Sequence, residues 1–153
     1  MNGKSPAQQL AGFIARFRPE IAALIKTARA KMRKRLPRAV EMVYDNYNAL
    51  VIGFGPTERA SEAIVSIVAY PRWVSVVFLQ GAHLPDPLGV LTGSGNQVRH
   101  IRLDAGAAIL DTPPIRALMA EALEFSDAPF DGRKRLVIKA ISPKQRPRRA
   151  RTQ

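Results

Sequence analysis

Residues 40–79 read VEMVYDNYNALVIGFGPTERASEAIVSIVAYPRWVSVVFL. Four segments of this run, residues 40–47, 49–54, 62–70 and 73–79, are rich in the β-branched and aromatic residues that suit a pleated sheet. Only short turn-forming runs separate the segments, whereas a parallel crossover needs about a dozen residues or more. The run therefore predicts an antiparallel meander.

Amphipathic helices are predicted on both sides of this meander. Apolar residues recur at helical spacing over residues 19–36 and 113–125, and a shorter helix is predicted over residues 7–15. Residues 98–103 read as a fifth strand, and residues 136–141 as a last strand or an extended arm. Because each helix has one apolar stripe to bury, we expect an α+β two-layer sandwich. Its N- and C-terminal helices would cover one face of an antiparallel sheet of about five to six strands.

Length and composition favour one globular domain. The chain has 153 residues, of which 46% are hydrophobic and 24% charged, enough apolar material for one packed core. It contains no cysteine, which excludes disulfides, thiolate nucleophiles and cysteine-based metal sites. No apolar run approaches the about 20 residues that span a bilayer, and the first residues do not resemble a secretory signal. These features predict a cytoplasmic protein with no membrane contact.

Positive charge is concentrated at the two ends of the chain. Residues 1–38 hold ten basic residues against one acid, and residues 133–153 hold nine basic residues and no acid. The segment between them has five basic and eleven acidic residues, so the net charge of +12 comes entirely from the ends. Such blocks are either solvated tails or electrostatic footprints for nucleic acid and other polyanions.

The basic ends supply the candidate polyanion contacts. Prolines and the lack of apolar residues predict disorder from residue 143 onward. The alternative to a merely solubilising role is contact with phosphates without reading base sequence. The candidate residues are Lys31, Arg33, Lys34, Arg35 and Arg38, in and just after the helix over 19–36, and Lys144, Arg146, Arg148, Arg149 and Arg151 in the tail.

Residues 79–103 carry a second informative pattern, LQGAHLPDPLGVLTGSGNQVRHIRL. Its Gly-Ala-x-Leu-Pro-Asp-Pro, Gly-x-Gly and Val-Arg-His runs resemble the YdhG-like family, a set of small, mostly bacterial domains of unknown function. The resemblance covers about residues 17–125 and implies a two-layer fold often compared with that of frataxin. We therefore assign residues 16–132 to a YdhG-like domain, preceded by an arm or short helix (1–15) and followed by a basic arm (133–153).

Two polar groups could line a small-ligand site. Aromatic rings with amide donors near a hairpin, and glycines beside basic residues, occur in ligand pockets, although both patterns also occur in ordinary turns. The first group is Tyr44, Asn46 and Tyr47, and the second is Gly93, Gly95, Arg99 and His100. If a pocket exists, the two groups would line it together.

Catalytic and metal motifs are lacking in the sequence. Glu41, Asp45, Glu121 and Glu124 are explained as exposed strand and helix residues. We therefore predict no enzyme, no catalytic residue, no metal and no cofactor, but a binding module for a small ligand or protein partner. The alternative is polyanion binding through the basic ends. Frataxin-like iron binding is a second alternative, disfavoured because the first long helix is basic and hard cations prefer carboxylate ligands.

Overall fold

The computed structural model describes residues 3–126, 128–130, 132 and 134–149. These residues form three α-helices, α1 (Pro6–Ala15), α2 (Pro19–Arg35) and α3 (Pro113–Phe125). They also form six strands, which are β1 (Val40–Asp45), β2 (Leu50–Gly55), β3 (Val65–Ala69), β4 (Val74–Phe78), β5 (Arg99–Arg102) and β6 (Arg135–Ile141). Short 3-10 turns lie at Ala60–Glu62, Gly81–His83 and Ala107–Asp111.

All six strands belong to one mixed sheet with the order β5-β4-β3-β2-β1-β6. Strands β1 to β4 form the predicted antiparallel meander, and β5 pairs antiparallel to β4. Strand β6, however, pairs parallel to β1, so the prediction of an antiparallel sheet is wrong for this strand. After β5 the chain passes through α3 and returns to the far edge of the sheet, where it runs in the direction of β1.

The main core joins all three helices to the sheet. Alternate strand residues such as Ile52, Ile67 and Val76 share one buried cluster with apolar residues of α1, α2 and α3. Helix α1 contributes Leu10 and Ile14, which are 1% and 3% exposed, so the segment described as an arm or short helix is a helix packed into the core. The apolar stripes predicted for α2 and α3 supply their buried residues.

Strand β1 buries two carboxylates on the side of the sheet that faces the helices. Residues two positions apart in a strand lie on the same side of the sheet. Glu41 and Asp45 therefore share the side of Val43, which belongs to the main core. They are 2% and 1% exposed, which corrects the expectation that both are exposed strand residues. A buried charge requires a charged or strongly hydrogen-bonding partner, because desolvation costs several kcal/mol per ion.

Glu41 is neutralised by helix α2. The Nε and Nη2 atoms of Arg29 donate to its two carboxylate oxygens at 2.7 and 3.0 Å. Arg33 Nε lies 3.2 Å from Oε1 of the same group. Two arginines one helical turn apart therefore attach α2 to the sheet through a single carboxylate.

Asp45 is neutralised by the C-terminal segment. Arg148 Nη2 donates to Asp45 Oδ1 at 2.9 Å, and both side chains are 1% exposed. Arg16 Nη1 approaches Oδ2 at 3.4 Å. Arg148 also donates to the carbonyl groups of Asn46 and Tyr47, in the turn between β1 and β2. The carbonyls of this turn thus help to hold the buried guanidinium.

The C-terminal segment packs along the turn between β1 and β2. The backbone carbonyl of Asp45 accepts bonds from Ser142 N (2.9 Å) and Gln145 Nε2 (2.8 Å). Arg146 N donates to the carbonyl of Tyr47 at 2.9 Å, and its guanidinium lies over the Tyr47 ring. The sequence predicts disorder from residue 143, whereas the structure places residues 143–149 on this hairpin, because Asp45 offers them a buried partner. Residues 150–153 lie outside the described residues.

Substitution of Arg148 by Met should destabilise the protein by about 3 kcal/mol, because Asp45 would stay buried with only the longer contact to Arg16. Urea unfolding gives the difference. The matched control is Arg146→Met, which removes an exposed guanidinium and should cost less than about 1 kcal/mol. Adding Asp45→Asn to the Arg148 variant should recover part of the loss. Equal effects of the two single substitutions would contradict this role of Arg148.

Candidate functional site

The two groups predicted to line a ligand pocket do not meet. The first group lies on β1 and in the turn after it, and comprises Tyr44, Asn46 and Tyr47. The second lies on β5 and in the loop before it, and comprises Gly93, Gly95, Arg99 and His100. Strands β2, β3 and β4 separate them, which corresponds to about 19 Å at the usual strand spacing. They cannot line one small-molecule pocket.

Tyr44 is half-buried on the side of the sheet away from the helices. Its hydroxyl lies 4.0 Å from the sulfur of Met42, a weak partner. Burial raises the pKa of the Tyr44 phenol above its ordinary value, because the charged form would lose hydration. This side chain is therefore suited to packing and not to proton transfer near neutral pH.

The glycine-rich loop before β5 is held by its own arginine. Arg99 Nη1 donates to the carbonyls of Gly95 (2.7 Å) and Val98 (2.8 Å). Gly93 has a φ of +141°, in the region that favours glycine. Arg99 therefore binds backbone carbonyls of the loop that contains the Gly-x-Gly run.

The Pro-Asp-Pro turn is also stabilised locally. The two carboxylate oxygens of Asp86 accept bonds from Val90 N (2.9 Å) and Leu91 N (3.0 Å). Gly81 lies so close to Arg99 that a β-carbon added there would sit 2.5 Å from Arg99 Cβ. These residues of the 79–103 segment thus have structural roles in the loop and at its ends.

A basic groove of about 620 Å³ lies between α2 and α3. Lys31 Nζ and Arg35 Nη2 bind the two carboxylate oxygens of Asp111 at 2.5 and 2.6 Å. Lys34 and Arg116 are exposed at its edge. Four cations and one carboxylate therefore line the groove, which carries an excess of positive charge. Its apolar lining consists of Leu36, Met119, Ala120 and Leu123.

The cations of the groove lower the pKa of Asp111. A hydrogen bond from Lys31 lowers the pKa of this carboxyl below its ordinary value. The positive charges of Lys31, Arg35 and Arg116 lower that pKa further, and partial desolvation opposes them. Asp111 therefore stays ionised near neutral pH and offsets one of the four positive charges that line the groove.

The other candidate cations on α2 and just after it have different surroundings. Arg33 is 40% exposed, but its Nε lies 3.2 Å from the buried Glu41, so its charge is partly offset by that carboxylate. Lys34 is exposed in the basic groove. Arg38 is also exposed, and its Nη1 lies 3.5 Å from the carbonyl of Phe130. Only part of the predicted helix charge therefore faces outward.

Of the predicted tail cations, some are exposed and one is buried. Lys144, Arg146 and Arg149 are exposed. Arg148 is buried with Asp45, so its assignment as a polyanion contact is not supported by its position. Arg151 lies outside the described residues. The tail therefore offers three described cations to solvent and uses a fourth to attach itself.

Sequence reasoning missed Arg116 because this residue lies in the acidic middle of the chain. Its surroundings there, PPIRALMAEALEF, contain no other basic residue, so no charge block marks the position. Only the packing of α3 beside α2 brings Arg116 to Lys31 and Lys34. No local sequence pattern predicts which two helices pack side by side.

Comparisons with protein-family models, curated proteins and solved structures gave no significant match to this chain. Among the described residues, no group of three or more His, Asp or Glu is arranged to hold a metal ion. In the same part of the chain, no helix combines the length and the apolar character that crossing a membrane requires.

Substitution of Gly81 by Ala should destabilise the protein by about 1–3 kcal/mol, because the new β-carbon would meet Arg99 Cβ and the Arg99 backbone nitrogen. Chemical denaturation measures the change. Gly95→Ala is the matched control, since a β-carbon there has nothing within 4 Å. It should change stability by no more than about 0.5 kcal/mol. Comparable losses in both variants would show that the close approach at Gly81 is unimportant.

Replacing Lys31 by Met should raise the pKa of Asp111 toward its ordinary value, which carboxyl-carbon NMR titration can follow. The folded-state pKa of Asp111 lies below the unfolded one, so its ion pairs stabilise the fold above the unfolded pKa. That contribution is lost as the pH falls through the folded pKa. Lys26→Met, on the exposed side of α2, should leave the titration unchanged. An unchanged pKa in the Lys31 variant would contradict the assignment.

Proposed function

We propose that this chain is a cytoplasmic, non-catalytic protein that binds a polyanion, with duplex nucleic acid as the favoured partner. The observation that carries the proposal is the basic groove between α2 and α3, which is lined by four cations and one carboxylate. The exposed cations elsewhere along α2 and in the tail extend this surface.

The docked tail joins both ends of the chain near the start of α2. Arg149 Nε donates to the carbonyl of Arg16 at 3.3 Å, just before Pro19 begins the helix. Arg16 is itself 46% exposed, so a phosphate can approach it. Lys144 and Arg146 are exposed on the same docked segment. Basic residues separated by more than a hundred positions thus share one region.

Helix α2 continues the basic surface toward the groove. Lys26 lies on its exposed side, and Lys34 lies near its end beside Arg116 of α3. A helix of 17 residues is about 25 Å long. Duplex DNA presents a phosphate charge every about 1.7 Å of its axis, so this length faces about seven base pairs. Contacts of this kind would be made to the backbone and would not read base sequence.

The other hypotheses receive less support from the geometry. The small-ligand form of the binding-module hypothesis relies on Tyr44 and His100, which lie on strands separated by three others. The iron hypothesis relies on Glu41 and Asp45, whose carboxylates are bound by arginines. A protein partner with an acidic surface remains compatible with the groove, and duplex binding is the form that we test.

Membership of the YdhG-like family, with a two-layer fold comparable to frataxin, is also part of the proposal. It is supported by the residue patterns in 79–103 and by the one core cluster that joins the helices to the sheet. In that interpretation the family-like residues maintain the loop before β5 and are separate from the basic surface.

The test is the titration of a fluorescent 20-base-pair duplex at several salt concentrations, followed by anisotropy. We expect affinity to fall steeply with salt, and the double variant Lys34→Gln/Arg116→Gln to reduce the log–log salt slope by about 2, because each phosphate contact contributes about 0.9. Point substitutions are needed because removing the tail would also remove the buried Arg148.

The matched control is Arg59→Gln/Lys139→Gln, which removes the same charge from the loop before β3 and from β6. It should keep the salt slope of the unmodified protein to within about 0.5. The proposal would be rejected by affinity that does not depend on salt. It would also be rejected if the two double variants lost affinity equally, because net charge alone would then explain the binding.

A further inference from the structure

A shallow groove of about 280 Å³ lies across β3, β4 and β5, on the side of the sheet away from the helices. Strand residues alternate between the two sides, so Ile67 and Val76 enter the main core whereas Val68, Ser75 and Val77 point into this groove. From β5, His100 lies opposite Val77. The groove is separate from the basic surface, which is built on α2, α3 and the tail.

Aromatic rings and a guanidinium are clustered at one end of this groove. The rings of Tyr70 and Trp73 stack with their centroids 4.6 Å apart, and the guanidinium carbon of Arg102 lies 4.7 Å from the Trp73 ring centroid. All three side chains line the groove, and none of them is fully buried. Flat groups of this kind are the surfaces on which nucleic-acid bases stack.

Positive charge accompanies these flat surfaces. Arg102 is 48% exposed, and its Nε lies 3.1 Å from Asp104, which is 63% exposed, so the pair is open to solvent and weakly held. Arg72 is exposed in the turn between Tyr70 and Trp73. Such an arrangement can bind phosphate groups beside stacked bases.

We propose that this groove binds single-stranded nucleic acid, with bases stacked against Tyr70 and Trp73 and with phosphates bound by Arg72 and Arg102. The three strands that form the groove span about 10 Å at the usual spacing, which accommodates about two nucleotides. Sheets that bind single-stranded RNA commonly stack two or three bases in this way. Base stacking is tolerant of sequence, so no particular base is required.

Trp73 provides a direct probe because it is the only tryptophan of the chain. We expect a single-stranded dT oligonucleotide of about ten nucleotides to quench its fluorescence, because stacking on the indole ring is required for binding. Inorganic polyphosphate should bind the basic surface without comparable quenching, since it has no bases. Equal quenching by dT and polyphosphate would overturn the proposal.

Two substitutions test the groove by anisotropy of a labelled dT oligonucleotide. Trp73→Leu and Arg102→Gln should each weaken binding roughly ten-fold. Arg59→Gln is the control, since it removes one exposed charge outside the groove and should change affinity less than about two-fold. Because Arg102 is half-exposed, its variant can be checked for native unfolding behaviour before binding is measured. Unchanged binding in both groove variants would overturn the proposal.

The double variant Lys34→Gln/Arg116→Gln separates this proposal from the proposed function. It should weaken duplex binding while dT still quenches Trp73. The failure of one proposal can therefore be distinguished from the failure of the other. Fluorescence should also be measured against protein concentration without oligonucleotide. A concentration-dependent change, with no response to dT, would show that a second copy covers the groove and would overturn the proposal.

Discussion

Two carboxylates on one buried strand impose the main constraint on this structure. Glu41 and Asp45 both face the helices from β1, which lies between β2 and β6 in the sheet. Each needs a cationic partner, because an unpaired buried charge costs several kcal/mol. Glu41 receives its partners from α2, and Asp45 receives them from the residue after α1 and from the tail. The arrangement of three otherwise separate segments therefore depends on one strand.

This constraint also determines which cations remain available to a partner. Arg29, Arg33 and Arg148 bind the buried carboxylates and Arg16 lies 3.4 Å from one of them, so the total of 24 basic residues overstates the number of cations available to a partner. The docked tail adds positive charge near the start of α2, because Arg149 lies beside Arg16. The ion pair between Arg148 and Asp45 thus brings other arginines of the tail to the surface near α2.

The two proposed binding surfaces differ in their chemistry. On the helix side, flexible lysines and arginines surround a groove and present point charges, which suit the regular phosphates of a duplex. On the opposite side of the sheet, Tyr70, Trp73 and Arg102 present flat surfaces that suit unpaired bases. Because the sheet lies between them, binding at one surface does not obstruct the other.

The sequence by itself determined the three helices, the antiparallel meander of β1 to β4 and the position of β5. Those features depend on local periodicity, proline positions and short turns, all of which are visible within a few residues. Tertiary structure alone decided that β6 runs parallel to β1, because strand direction there depends on where α3 returns the chain. It also decided that the proline- and arginine-rich segment is docked through Arg148, since the partner Asp45 lies 103 residues away. The groove beside Arg116 arose in the same way, because helix packing, and not any local pattern, brings its charges together.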